Sequence, residues 1–376
     1  MRSTLKKSRM RADARFHASS CDFRSPFDRD RDRIIHSGSF RKLEYKTQVF
    51  LNHEGDFFRT RLTHSLEVSQ IARSIAKSLH LQESLAEAIA LAHDLGHTPF
   101  GHIGGDTLDR CLKDNGFPNG FEHNYQSFRV VTFLEKKYKQ FNGLNLTFAT
   151  LEGILKHSYP YAKKFLHANI DTQFNLSTHP SIEAMIVDRA DEIAYMSHDI
   201  DDGIHAGLIS FETLKQSDLI QEILHKVEAE GIHIKEGDEM FRYRFSSHFI
   251  NHLVYSLLAY SKKNIDSTAV LSAVIPSSEP LPVGFERDLE RDIKQLKKIL
   301  HQELYQHKNI VRKMFSGKQA IIGLYAALND EPKLLPQYFY RQLASRHQHR
   351  VIADYIASMS DRYAMKLHNE LYGRVL

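Results

Sequence analysis

The stretch Ala88-Ile-Ala-Leu-Ala-His93-Asp94-Leu-Gly-His97-Thr-Pro-Phe-Gly-His102 constrains this chain more than any other. Ala86, Ile89, Ala90 and His93 recur at i, i+3, i+4 and i+7, which puts all four on one stripe of a helix. An adjacent His and Asp therefore close an apolar run, where a side chain that needs water has no ordinary reason to sit. A buried imidazole must satisfy both ring nitrogens, either as a core residue bonded to a carbonyl or as a metal ligand. Asp94 beside it, with His97 and His102 just after, favours the metal. Gly96 and Pro99 stop the helix, and Gly101, Gly104 and Gly105 allow close approach of the backbone to a bound group.

The 376 residues suffice for a large core and for one to three domains. At 42% hydrophobic and 26% charged the chain is of ordinary globular composition. Its 50 Lys+Arg against 46 Asp+Glu leave a net of +4, too small to argue nucleic-acid binding. Two cysteines, Cys21 and Cys111, give neither a disulfide framework nor a metal-finger spacing. Every apolar run is interrupted before it reaches the length of a membrane span, and the basic N-terminus lacks a signal peptide's apolar stretch. The expected location is the cytoplasm, with no membrane partner.

Residues 1–21 read as a basic arm. Asp22 to Arg33 alternates charges strictly, either as a solvated surface or as the lining of a polyanion site. Tyr45 to Leu51 has strand character and Asn52 to Gly55 is a turn, so one short β-hairpin is expected near residues 45–60. From Arg61 onward the pattern is helical. Leu62, Leu66, Ile71, Ile75 and Leu79 form one stripe, and His64 stacks with Val68, Ile71 and Ala72, so it faces inward. Asp191, Tyr195, Asp199 and Asp202 share one face of a strongly helical segment, 181–200. Pro276-Ser-Ser-Glu-Pro-Leu-Pro282 is the clearest punctuation, and it divides a domain over 22–275 from a helical region over 283–376. The fold class that follows is all-α.

Collected by chemistry, the inward-facing groups are His64, then His93 and Asp94, then a later Asp on a third helix. Asp188, Asp191 and Asp199 all qualify for that last place by type. Two imidazoles and two carboxylates compensate one divalent cation, and the N/O mixture suits Mn, Fe, Zn or Mg with open positions. An open position can hold a phosphate oxygen or a water. Arg61, three residues before His64, and Lys156 are able to clamp phosphates. Hydrolysis of a phosphate ester is the chemistry these groups support.

The ordered set resembles the HD-domain metal-dependent phosphohydrolases. More narrowly, Arg29-Asp-Arg-Asp-Arg-Ile-Ile-His-Ser37, Phe40-Arg-Lys-Leu43, Lys46-Thr-Gln-Val49, Arg61-Leu-Thr-His64-Ser and the His93 to His102 motif resemble the bacterial dGTP triphosphohydrolase-like family. The resemblance implies an all-α HD fold, with 22–275 as the phosphohydrolase domain. It also implies hydrolysis of dGTP or another deoxynucleoside triphosphate to the deoxynucleoside and tripolyphosphate. The metal ligands it implies are His64, His93, Asp94 and Asp191, the last followed by Tyr195 and Asp199 at the family's spacing. By the same likeness Tyr195 and Asp199 hold the deoxyribose, Gln48 lies near base and sugar, and Arg61 and Lys156 contact phosphates. His102 and His123, with Asn124 beside the latter, match positions near the scissile bond, where acid–base work suits a pKa near neutrality. A homo-oligomer and a nucleotide effector are the partners this family suggests; single-stranded nucleic acid is the partner the basic arm over 1–21 would serve. One departure stands out: an acidic residue usually follows the second Gly-His by three positions, and here that position is Gly105, with Asp106 next. His157 and His198 receive no role.

Two other functions compete. One keeps the metal site and changes the substrate to a nucleoside monophosphate or cyclic nucleotide. The other is a catalytically weak nucleotide or nucleic-acid binder, in which Gly105 reports the loss.

Overall fold

A computed structural model describes residues 12–19, 23–48, 58–158, 174–233, 239–265 and 280–373. Its longer helices are α1 (Pro26–Ile35), α2 (Arg61–Ser78), α3 (Glu83–Ala92), α4 (Gly101–Asp114), α5 (His123–Arg129), α6 (Phe148–Leu155) and α7 (Ile182–His205). They continue as α8 (Asp218–Glu228), α9 (Glu239–Asn264), α10 (Arg287–Ile299), α11 (Lys308–Asp330), α12 (Gln348–Ala357) and α13 (Asp361–Tyr372). The all-α class holds, and among the described residues no helix is long and apolar enough to cross a membrane.

Local chemistry sets where these helices begin. Thr60 and Thr63 form a capping box that starts α2 just ahead of Arg61 and His64. Ser181 caps α7 by accepting from the Ala184 N–H. The helix carrying the His-Asp pair ends at Ala92, with His93 as its C-cap residue. The turn that follows, and not the helix body, therefore presents Asp94 and His97.

Three apolar clusters fill the interior. The largest joins Val68, Ile71 and Ile75 of α2 to Ile89 of α3, Ile186 and Ile193 of α7, and Phe245 and Phe249 of α9. The second packs Ile34, Leu91 and Leu95 against Phe128 and Ile154. In the third, Phe100, Leu108 and Leu112 meet Leu324 of α11 and Val351, Ile352 and Ile356 of α12. Each such aliphatic side chain contributes about 1.5–3 kcal/mol by leaving water. The C-terminal helices thus share a core with α4, which carries His102.

Polar joints tie the same parts together. Asp361, at the start of α13, is buried and accepts the backbone N–H of Thr47 at 2.9 Å and of Phe100 at 3.0 Å. Phe100 is left-handed (φ 64°), so Asp361 fixes the turn that launches α4. The fully buried Lys46 ammonium donates to the His97 and Ala357 carbonyls, and burial pushes its pKa down to about 7.

Three sequence expectations change. The hairpin near 45–60 reduces, among described residues, to one antiparallel bridge between Thr47 and Thr60; Leu43–Tyr45 is a 3-10 turn, and 49–57 lie outside the described residues. On α2 the buried stripe runs through His64, Val68, Ile71, Ala72 and Ile75, while Leu66 is half exposed. Among the described residues the alternating charges of 23–33 are spent on one another and on neighbouring loops. Asp30 is fully buried and accepts from Thr147, Thr150 and Arg15, while Arg24 and Arg31 pair with Asp32 at 2.6 and 2.9 Å.

Candidate active site

Helices α2, α3 and α7 bring His64, His93, Asp94 and Asp191 together. The ligand atoms of His64, His93 and Asp94 lie within 4.8 Å of one another. Asp191 Oδ1 stands 2.8 Å from His64 Nε2 and 3.7 Å from His93 Nε2. His93 donates from Nδ1 to the Ala90 carbonyl at 2.6 Å, which leaves the Nε2 lone pair facing the carboxylates without a hydrogen-bond partner. Burial lowers the His93 pKa, so this nitrogen is an acceptor at neutral pH. Burial works against the charged forms of Asp94 and Asp191, yet neighbouring His93, His97 and Arg61 hold Asp94 well below the usual carboxylate range. His157 and His64 do the same for Asp191. Two anions and two imidazoles thus converge on one point, a donor set that fits a divalent ion.

The Arg61 side of the cluster is built on the turn after α3. Arg61 donates to Asp94 Oδ2 at 2.7 Å and its Nε has no hydrogen-bond partner among described residues. A Cβ placed on Gly101 (φ +60°) would meet the Arg61 guanidinium at 3.5 Å and the Gln48 carbonyl at 3.6 Å. Gln48 Oε1 and Asn124 Oδ1 are likewise buried with no hydrogen-bond partner among described residues. Unpaired polar atoms of this kind are costly in a finished interior and ordinary in a site shaped for a ligand. Gly96 makes the arrangement possible: a Cβ there would strike Ser127 N at 2.1 Å and His123 O at 2.3 Å. Ser127 locks the contact by accepting from Gly96 N–H and donating to the His93 carbonyl.

His97, His102 and His123 line a cleft of about 240 Å³ together with Gly105 and Asp106. The His97 and His123 rings are 4.1 Å apart, and His102 stands 5.6 and 5.9 Å from them. The expectation of near-neutral pKa values for the pair fails for the free protein: loss of water lowers both, His123 to about 3, with Arg61 adding to the effect. Both imidazoles are therefore acceptors at neutral pH. Asp106 is exposed and shares the cleft, while a Cβ on Gly105 meets only Thr98 Oγ1, at 3.7 Å. Gly105→Asp should consequently fold normally and, by placing a carboxylate near His102, raise its pKa. We expect kcat at neutral pH to rise severalfold; an unchanged pH profile would show that no carboxylate is missing here.

Two sequence assignments look different in place. Lys156 is buried, and its ammonium is committed to Glu152 at 2.6 Å, the Asn175 carbonyl at 3.1 Å and Thr178 at 3.2 Å. This is the geometry of a structural tie, not of a phosphate clamp, and Glu152 at i−4 was its signal. Tyr195 and Asp199 are both bonded to the hydroxyl of Tyr305, from the π-helical turn Leu300–Tyr305. Burial raises the Asp199 pKa to about 7 despite that bond. Tyr305→Phe removes a donor that favours the carboxylate, so the acid limb of the kcat/KM profile should move to higher pH. Stability should fall by about 1–3 kcal/mol, the cost of an unsatisfied buried acceptor. A profile superimposable on the parent's would refute the link.

The sequence reading passed over two further groups. His198 contacts His64 Nδ1 at 3.3 Å and binds Glu67 through Nε2, orienting His64 from behind. It lies seven residues after Asp191, hence on the same face of α7, which was the available signal. His157 meets Asp188 and Asp191, and nothing in its local sequence marked it.

A His-Asp metal cluster held by three helices of an all-α domain defines an HD-type metal-dependent phosphohydrolase. The sequence model of the HD domain matches residues 61–196, and that of the phosphohydrolase-associated domain matches 283–370. A deoxyguanosinetriphosphate triphosphohydrolase-like protein of Wolinella succinogenes is 60% identical over 96% of this chain and 100% of its own length. Proteins of the same name from Nitrosomonas europaea and Azoarcus sp. are 46% and 47% identical, over 95% and 93% of this chain and 94% and 90% of their own. The chain belongs to the deoxyguanosinetriphosphate triphosphohydrolase-like family.

Proposed function

We propose that this chain hydrolyses deoxynucleoside triphosphates to the deoxynucleoside and tripolyphosphate. The observation that carries the reading is the spacing on α7: Asp191 joins the His64, His93 and Asp94 cluster, and Tyr195 and Asp199, one and two turns on, meet at the hydroxyl of Tyr305. His64, His93, Asp94 and Asp191 would hold one divalent ion, with Mn, Mg, Fe and Zn all compatible; when bound it would supply Lewis-acid polarisation of a phosphate oxygen and a lowered pKa for water. Arg61 orients the phosphates. His102 and His123, uncharged before substrate binds, accept a proton from water or pass one to the leaving oxygen once the triphosphate's charge raises their pKa. Asp199 accepts from the 3′-hydroxyl, and Tyr195 packs against the sugar, where a 2′-hydroxyl would have no room. Gln48 and Asn124 lie at the base and sugar side.

In this reading 22–275 is the catalytic domain and 283–376 closes it through Tyr305, with a basic arm over 1–21. A homo-oligomer with nucleotide effectors belongs to the same expectation. The test is a panel of the four dNTPs and their ribonucleotides with Mn²⁺ or Mg²⁺, products separated by ion chromatography. Tripolyphosphate from a dNTP supports the proposal; pyrophosphate or orthophosphate alone overturns it. The commitment of Lys156 to Glu152 leaves Arg61 as the one clamp from the original pair, which favours a second reading with fewer phosphates. Turnover of a deoxynucleoside monophosphate without turnover of any dNTP decides for that one.

A further inference from the structure

Three imidazoles line the cleft beside the His-Asp cluster, and they differ in what stands behind them. His97 Nδ1 lies 3.0 Å from Asp94 Oδ1, on a carboxylate that Arg61 also holds. His123 Nδ1 lies 3.3 Å from Glu122 Oε1. Among the described residues no carboxylate comes within ion-pair distance of His102, and the third position beyond it is Gly105. Asp106, next in sequence, is exposed.

Glu122 is fixed in place by the backbone. It is the N-cap residue of α5, its Oε2 accepting the Tyr125 N–H at 2.6 Å, and Oε1 is the oxygen that faces the imidazole. The side chain is 16% exposed, so little solvent screens its charge. Acid–base contacts of this length are common before substrate binds and tighten in the complex. A carboxylate beside one ring nitrogen keeps a proton there and favours the imidazolium. The other nitrogen, Nε2, then carries the proton that can leave. Of the remaining charges, His102, Arg61 and His157 oppose an imidazolium at His123, and Asp94 supports it. Asp109, in the same cleft, is committed to Lys113 at 2.8 Å and to the Phe121 N–H at 2.9 Å.

We propose that His123 protonates the leaving 5′-oxygen, with Glu122 as its positioning residue, so that this pair fills the part an acid at position 105 would give His102. The inference rests on the reading of the chain as a deoxynucleoside triphosphate triphosphohydrolase. In the step, water adds to the α-phosphorus, and the bond from phosphorus to the 5′-oxygen breaks with its electron pair left on that oxygen. The Nε2–H bond of His123 breaks as the new O–H bond forms, and the imidazolium becomes neutral imidazole. The proton lost by the attacking water goes to solvent, and a proton from solvent reloads His123. Glu122 favours the charged form that the step needs, and the bound triphosphate adds to it.

The experiment compares the parent, Glu122→Gln, Gly105→Asp and the double variant on the dNTP the parent hydrolyses fastest. Mn²⁺ is saturating, and the pH range is that in which the parent stays folded. Gln keeps an acceptor for the Tyr125 N–H and loses the charge, so its melting curve should match the parent's. Its kcat at pH 7 should fall about 10-fold or more with KM unchanged, within what a general acid contributes. Removing the carboxylate lowers the His123 pKa, so the basic limb of the kcat profile should move to lower pH and the deficit should shrink in acid. Gly105→Asp should restore most of the lost kcat in Glu122→Gln while raising the parent's only severalfold. A parent-like kcat and pH profile in Glu122→Gln overturns the inference, as does a loss confined to stability or KM, which is all a helix cap would give. Equal gains from Gly105→Asp in both backgrounds overturn it too, because the two carboxylates then act independently. A folded, Mn²⁺-loaded parent that releases no tripolyphosphate from any dNTP overturns the proposed function, and this inference with it.

Discussion

Replacing His93 by alanine should abolish tight binding of the divalent ion and reduce hydrolysis by roughly 10³-fold or more. A divalent ion contributes several kcal/mol of transition-state stabilisation, and about 1.4 kcal/mol corresponds to a factor of ten. His93 is the sharpest place to make the cut. Its Nδ1 is already satisfied by the Ala90 carbonyl, so Nε2 is the one ring nitrogen available to a ligand, and it faces both carboxylates. Asp94 is a blunter choice, because it also holds Arg61 and stands 3.0 Å from His97. Elemental analysis and single-turnover kinetics on His93→Ala and His93→Gln, with melting curves to confirm folding, check the expectation. Parent-like turnover in a folded variant that binds no metal would show that the cluster is structural.

The metal side of the site was legible because it rests on local periodicity. His64 faces inward on its stripe with Val68 and Ile71, and His93 on its stripe with Ala86 and Ile89, whereas periodicity left Asp188, Asp191 and Asp199 open and only the likeness to the family's spacing singled out Asp191. What escaped the sequence depends on contacts across long stretches of chain. Tyr305 reaches Tyr195 and Asp199 from 110 and 106 residues away, and Asp361 reaches Phe100 from 261. No spacing rule connects such pairs. Lys156 was misread for a different reason. A lone cation near a predicted phosphate site attracts a functional role, and the competing partner, Glu152 one turn earlier, was in plain view. The lowered pKa of His123 comes from burial beside His102, Arg61 and His157, a property of three-dimensional crowding.

Truncation of Asp354 should be the most damaging single change outside the metal site. Its carboxylate is fully buried on α12 and accepts from Arg129 at 2.7 Å, from Gln126 at 3.0 Å and from Arg346, with Arg350 Nε 3.5 Å away. Arg350 in turn donates to Gln126. Arg129 and Gln126 belong to α5, the helix that begins with His123, so this cluster joins the C-terminal helices to the candidate site. Asp354→Ala would leave three guanidinium groups around a vacated anion, and breaking a buried charge cluster from one side costs about 3–5 kcal/mol. The same carboxylate gives stability a pH dependence. Burial alone would raise its pKa, but Arg350, Arg129 and Arg346 outweigh that and hold it below its ordinary value. A carboxyl with a depressed folded-state pKa contributes stability that is fully present above its unfolded value, about 3.9, and is lost as pH falls through the folded one. Chemical denaturation of the parent should therefore show a loss of stability below about pH 4 that is smaller in Asp354→Asn. At pH 7 the Asn variant should also be destabilised, though less than Ala, since it keeps one acceptor for Gln126 or Arg129. If Asp354→Ala unfolds within 1 kcal/mol of the parent at neutral pH, the arginines find water or other acceptors, and the α5–α12 joint is not what holds His123 in place.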